Sequence, residues 1–258
     1  MKELLVIKNL KKYFLIENVF SGKKDIVKAV DDVTFCVEKE KIVALVGESG
    51  SGKTTVARCI AGLETKDTGE ILYEGKELSF DTKEKRRKIQ YIFQDSMGSL
   101  NPRMRVKDVI EEPLKFHFDL KGEELKNKVN EYLYSVGLNE NFKEKFPHEL
   151  SGGQRQRIVI ARALTMQPSL LIADEPVSNL DVSIQAQILK LFLDLNKKEK
   201  LTILFITHDL RIVKNLADYV IVMKNGKIVE MGEVGRVFSK PKSEYTKVLL
   251  SSIPGMDR

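Results

Sequence analysis

The sequence predicts an α/β fold: a mostly parallel sheet with crossover helices, an N-terminal antiparallel β layer and an inserted α-helical subdomain. Three observations predict it. First, Ile42-Val43-Ala44-Leu45-Val46 is an apolar run short enough for a buried strand, and it leads through a Gly-rich loop into a helical pattern. Second, Leu170-Leu171-Ile172-Ala173 and residues 202–207 are apolar on both faces, as buried parallel strands are, with a helical stretch between them. Third, the pattern turns helical from about residue 106, so a block over about 95–155 interrupts the α/β order and is expected to form a separate lobe. The main domain is expected over 1–235, with a short helical tail over 236–258.

Taken in order, the chain opens on Met1-Lys2-Glu3 and the run Leu4-Leu5-Val6-Ile7, too short for a signal peptide and followed by no small-residue cleavage site. Val30, Val33, Phe35 and Val37 mark a β stretch ahead of the strand at 42–46. After the loop, Val56, Ala57, Ile60 and Ala61 recur at helical spacing. Residues 69–73 and 89–93 read as further strands, and the charge run 83–88 between them as a solvated helix face. Leu125, Val129, Tyr132, Leu133 and Val136 form one stripe, with Gly137 placed to cap the helix. Another helix is expected from about Gly153 to Met166, then a strand over 169–174. A helix over 182–199 carries Ile184, Ile188, Phe192 and Leu195 on one side. Residues 219–223 and 227–231 flank Asn225-Gly226, a hairpin turn in which both central positions favour positive φ. Residues 243–251 predict a short helix.

Composition narrows the class. The 258 residues suffice for one large domain or two lobes, and the 42% hydrophobic and 31% charged content is that of a globular protein. The longest apolar runs fall far short of the roughly 20 residues that cross a membrane. With no leader, the chain is expected in the cytoplasm. Cys36 and Cys59 fit reduced, buried thiols, and two cysteines are too few for a zinc or iron–sulfur site. The net charge of +6 is accounted for by a solvated surface and selects neither membrane nor nucleic acid.

The chemistry is concentrated in three stretches. Gly47-Glu48-Ser49-Gly50-Ser51-Gly52-Lys53-Thr54 fits G-x-x-x-x-G-K-[ST] at every fixed position. A chance match is on the order of one per cent for a chain this long, and the strand–loop–helix context lowers it. Glycines let the backbone approach a phosphate chain, and the N–H groups of the loop and of the helix start, from Lys53 through Thr54 and Thr55, face the anion. Lys53 adds a positive charge and the Thr54 hydroxyl can ligate magnesium. Such a loop needs a carboxylate on the magnesium side. Asp174, at the end of a buried strand, can hold the metal through water, and Glu175 is placed to polarise an attacking water. Leu150-Ser151-Gly152-Gly153-Gln154 opens a helix with Ser151 as N-cap, a second helix terminus suited to an anion.

The order of these three stretches resembles the ATP-binding subunit of an ABC transporter, over essentially the whole chain. The resemblance implies an ABC ATPase fold with a P-loop NTPase core, ATP and Mg2+ as bound groups, and ATP hydrolysis coupled to solute translocation. It implies roles for single positions. Tyr13, in Lys11-Lys12-Tyr13-Phe14, resembles the aromatic that stacks on adenine. Gln94, in Phe93-Gln94-Asp95, resembles the glutamine that senses magnesium and the attacking water. Asp181, in Ser178-Asn179-Leu180-Asp181, matches the loop that crosses a dimer seam. His208, in Thr207-His208-Asp209, matches the histidine at the γ-phosphate. Ser151, Gly152, Gly153 and Gln154 would cover the ATP held by a facing second ABC ATPase subunit, identical or paralogous, so that two ATP molecules are sandwiched head to tail. The helical lobes would grip two membrane permease subunits at the cytoplasmic face of the membrane, with an external solute-binding protein engaged indirectly and no nucleic acid.

Finer similarity points to oligopeptide and dipeptide importers. It rests on Ser99-Leu100-Asn101-Pro102-Arg103-Met104, Pro147-His148-Glu149-Leu150, Glu175-Pro176-Val177-Ser178, Asp181-Val182-Ser183-Ile184-Gln185-Ala186-Gln187, and a Tyr245-Thr246 segment reaching Ile253-Pro254. Asn179 stands where alanine is usual, and Ser243-Glu244 replaces a common His-Pro. The chain then stops without the longer tail whose cysteines bind an iron–sulfur cluster in some relatives. Nickel importers of the same group often end this early, so a nickel substrate is the alternative. Soluble ABC ATPases acting on ribosomes or DNA usually carry two ATPase units, coiled coils or zinc insertions, and many exporters carry a fused membrane domain; the sequence holds none of these.

Overall fold

The structure, a computed structural model, describes residues 3–17 and 24–252. Met1, Lys2, Ile253 and Pro254, named above, lie outside the described residues. The chain divides into two compact units, Met1–Ser79 with Thr202–Arg258, and Phe80–Leu201. In chain order the first unit begins with β1 (Glu3–Glu17), β2 (Lys24–Glu38), β3 (Ile42–Val46), α1 (Lys53–Ile60), β4 (Thr68–Tyr73) and β5 (Lys76–Glu77). The second unit holds α2 (Lys83–Lys88), β6 (Ile89–Ile92), α3 (Val106–Phe118), α4 (Gly122–Ser135), α5 (Gly152–Leu164), β7 (Leu170–Asp174) and α6 (Val182–Glu199). The chain then returns to the first unit with β8 (Thr202–Thr207), α7 (Leu210–Leu216), β9 (Tyr219–Lys224), β10 (Lys227–Glu233), α8 (Val234–Ser239) and α9 (Glu244–Ser251).

In the first unit β3 lies between β8 and β9, parallel to both, so Ile42 to Val46 has no solvent face and every residue of it is apolar and buried. β10 closes this part antiparallel to β9. Asn225 (φ 48°) and Gly226 (φ 77°) turn the chain between them with both φ values positive, as the dipeptide predicts. The expected antiparallel layer is a second sheet in the order β2-β1-β4-β5. Its β1 and β2 are 15 residues each, and their register (Leu5 opposite Val37, Ile7 opposite Phe35, Leu10 opposite Val33) stacks one apolar face into the core. α7, α8 and α9 pack through Leu210, Val213, Val234, Val237 and Leu250 on Ala44, Val46, Val220 and Val222.

In the second unit β6 and β7 run parallel, Ile89 beside Leu170 and Ile92 beside Ala173. The helical block predicted at 95–155 is α3, α4 and the start of α5; its apolar stripes (Val106, Val109, Ile110 and Leu114; Leu125, Val129 and Leu133) are buried where the three helices meet. Gly137 does end α4: it takes φ +74°, and the next N–H, of Leu138, returns to the Leu133 carbonyl at 2.9 Å. Of the α6 stripe, Ile188, Phe192 and Leu195 are buried and Ile184 half-buried. Cys59 is buried and free, whereas Cys36 is only half-buried, because it alternates along β2 with Phe35 and Val37, whose side chains take the core face.

Candidate functional site

The loop between β3 and α1 is built by contacts that only glycine permits. Gly47 sits at φ +152° and Gly52 at +103°; a Cβ on Gly47 would stand 2.2 Å from the Met223 carbonyl oxygen, and one on Gly52 2.1 Å from that of Ala29. α1 starts at Lys53 with no side-chain cap and no acidic residue in its first turn, a helix start whose dipole suits an anion. Lys53, 5% exposed, folds back over the loop, its Nζ donating to the carbonyls of Gly47 and Glu48 at 2.8 Å each and to Ser51 Oγ at 3.3 Å. A buried ammonium on a glycine-rich loop is a site that gains from a bound anion. Glu48, Ser49 and Gly50 form the exposed tip, and Thr54 and Thr55 are half-buried.

A relay of hydrogen bonds ties Tyr13 to this loop. The Tyr13 hydroxyl donates to Asp31 Oδ1 at 2.6 Å, Asp31 N–H donates to the Gly226 carbonyl at 2.8 Å, and Gly226 N–H donates to the Ser51 carbonyl at 3.0 Å. The Tyr13 hydrogen bond and the nearby Lys227 hold the Asp31 carboxyl below its usual value, burial opposing them. Lys28 Nζ lies 5.5 Å from the centre of the Tyr13 ring. His208 follows β8 directly; since Val46 pairs with Thr207, its exposed side chain stands one residue past the strand pair, at the level of Gly47.

The second unit gathers Gln94, Asp174 and Glu175. Because Ile92 pairs with Ala173, Gln94 and Glu175 emerge side by side two residues later, and Gln94 Nε2 donates to Glu175 Oε2 at 3.1 Å. Glu175 takes φ +46°, a left-handed conformation uncommon for a residue with a side chain and typical of functional sites. Asp174 is 5% exposed and accepts from the Tyr91 hydroxyl at 2.7 Å. Tyr91 is a site residue the sequence reading missed: nothing local marks it, and only the β6–β7 pairing brings it there.

Ser151 caps α5 as expected. Its Oγ accepts from Gln154 N–H at 3.3 Å while Gln154 Oε1 accepts from Ser151 N–H at 3.0 Å. Gln154 is thereby engaged in shaping the helix start, and Gly152 and Gly153 present the backbone of a first turn without acidic residues. Gly153 has its own constraint, since a Cβ there would lie 2.3 Å from Ile184 Cγ2. Asp181 caps α6, its Oδ1 accepting from Ile184 N–H at 3.0 Å, and Gln185 Nε2 secures the preceding loop at the carbonyls of Val177 and Leu180.

Thr54 in the first unit, and Asp174 and Gln94 in the second, each carry a hard oxygen donor of the kind magnesium accepts. Among the described residues, no three His, Cys, Asp or Glu side chains converge on a metal position.

The family model described as ABC transporter matches residues 30–178. The chain is 46% identical over 257 residues to the oligopeptide transport ATP-binding protein AppF of Bacillus subtilis, covering 97% of this chain and 78% of that protein. It is 44% identical over 249 residues to the dipeptide transport ATP-binding protein DppF of Haemophilus influenzae, covering 95% and 76%. Among solved structures it is similar to a dimeric post-hydrolysis state of the ATP-binding cassette MJ0796 bound to ADP and Pi, with a TM-score of 0.78, 30% identity, and coverage of 89% of this chain and 98% of that one.

Proposed function

This chain belongs to the ABC transporter family, and from that premise we propose that it is the ATP-hydrolysing subunit of an importer for oligopeptides or dipeptides. The observation that carries the reading is the pairing of Gln94 with Glu175 beside the buried Asp174, in a chain that also carries the Lys53 loop. The loop amides and Lys53 bind the phosphates of ATP, and Tyr13 meets the adenine. Thr54, Asp174 and Gln94 would hold Mg2+, which would neutralise charge developing on the phosphates. Glu175 takes the proton of the attacking water, oriented by Gln94, and His208 steadies the γ-phosphate.

The Ser151, Gly152 and Gly153 terminus, with Asp181, serves the ATP of a second ABC ATPase subunit, so closure and hydrolysis alternate between paired and open states. The dimeric state of MJ0796 supports that arrangement. Two permease subunits are the membrane partners, placing this subunit peripherally on the cytoplasmic face. No helix among the described residues is long and apolar enough to cross a membrane. A groove of about 470 Å³ in the second unit, lined in part by the exposed Phe93 and Phe116 with Glu112 and Arg162, supports docking of a permease segment. The names of the peptide-transport relatives favour peptides over nickel. Reconstitution with candidate permeases tests this: peptides should stimulate ATP hydrolysis, and stimulation by nickel complexes alone would overturn the substrate class.

A further inference from the structure

We propose that Tyr245, on the C-terminal helix α9, is a positioning residue for the phosphate loop: its hydroxyl holds the Glu48 peptide in the geometry that binds nucleotide. Glu48 is where the loop's internal bonds meet. Its carbonyl accepts from Ser51 N–H at 3.2 Å and from Lys53 Nζ at 2.8 Å. Its N–H, at the exposed tip, donates to the Tyr245 hydroxyl at 3.2 Å across 197 residues of sequence. The Glu48 backbone is thus held on its carbonyl side by the loop lysine and on its N–H side by α9.

α9 is itself fastened. The two carboxylate oxygens of the buried Glu230, on β10, accept the N–H groups of Lys242 and Ser243 at 2.9 and 3.0 Å, just ahead of the helix. Thr246 and Leu250 are buried, and Lys224 Nζ sits 4.5 Å from the centre of the Tyr245 ring. The clamp therefore runs from β10 through α9 to the loop, entirely within the first unit. A preorganised loop gives up less conformational freedom on binding, so holding Glu48 raises nucleotide affinity without touching the phosphates. Burial raises the phenol's pKa against the opposing pull of the Glu48 amide, and the Glu48 carboxylate adds to the rise, so the hydroxyl keeps its proton.

The inference rests on the nucleotide reading of the loop, and the full-length Tyr245→Phe protein tests it. The ring is kept and only the hydroxyl is lost. The Kd for a fluorescent ATP analogue and the KM for ATP should each rise about fivefold, as expected for one net hydrogen bond, with kcat held within twofold. The Glu48 amide should exchange faster by hydrogen exchange while those of Val248 to Leu250 keep their protection. Unchanged affinity and Glu48 exchange, or equal loss of protection in α9, would overturn the clamp. Glu230→Gln alone should weaken binding through the same contact; added to Tyr245→Phe it should cost no further affinity, and an additive loss would overturn that route. Lys53→Ala in the same assay separates the two readings: if it abolishes binding and Tyr245→Phe does nothing, the clamp fails and the nucleotide site stands.

Discussion

Replacing Glu175 by glutamine isolates the proton-accepting step. The amide is nearly isosteric with the carboxylate, and its oxygen can still accept the 3.1 Å bond from Gln94 Nε2. The left-handed backbone at residue 175 is equally accessible to glutamine, so the loop around Ser178, which donates to the Glu175 carbonyl through both N–H and Oγ, is unaffected. What disappears is the proposed base. General-base catalysis is worth about 10²–10⁴ in rate, or about 3–5 kcal/mol of barrier. Phosphate release at saturating Mg-ATP should fall by that factor while the Kd for ATP stays within about twofold. Size-exclusion chromatography of the variant with ATP should show a long-lived closed dimer, formed with itself or with a partner ATPase. Turnover within threefold of the parent would remove Glu175 as the base and return the water-activating role to the Gln94 side of the pair.

The remaining expectations concern stability and reactivity. Gly153→Ala drives a Cβ into the branched Ile184, 2.3 Å away, which should cost about 1–3 kcal/mol and lower Tm by about 3–10 °C; Gly152→Ala, whose nearest neighbour is the Leu180 methyl at 3.1 Å, should cost less, and equal Tm values would contradict the packing argument. Burial raises the pKa of Glu230, but the Lys242 and Ser243 N–H bonds outweigh it and leave the carboxyl below 4.5 in the folded protein. Its contribution to α9 docking is therefore complete above the unfolded value and is lost as pH falls through the lower folded one. The amide shifts of Lys242 and Ser243 should titrate with a midpoint below 4.5; a midpoint above it would reverse the sign. Burial pushes the Cys59 thiol up to about 11, so alkylation at pH 8 should be far slower in the native than in the unfolded protein, and equal rates would contradict its placement.

Much of the candidate site could be read before any coordinates because its signals are local. A strand, a glycine turn and a helix start within about a dozen residues place Lys53 and Thr54 wherever the sheet lies, and Ser151 with Gln154 close their capping box within one turn. Leu170 to Ala173 announces a strand covered on both faces, and the acidic pair follows at its end. The reading stopped where contacts are remote. α7 and α8, at seven and six residues, are too short to show a period and are held by the core they pack on. The length of β1 and β2 depends on cross-strand register, with several bulges, which neither strand displays alone.

The sequence by itself determined the class of chemistry, that of an ABC transporter ATPase, and marked the candidates for meeting phosphate and for taking a proton. These follow from side-chain type and short spacing, physics that operates within a few residues of chain. Tertiary structure alone decided what supports them. Tyr91 at Asp174, Gly226 at Ser51, Asp31 beneath Tyr13 and Tyr245 at Glu48 are each joined by hydrogen bonds across 18 to 197 residues. Such bonds exist only once the strands have paired and the apolar faces have closed, because until then the entropy of bringing those groups together outweighs one hydrogen bond.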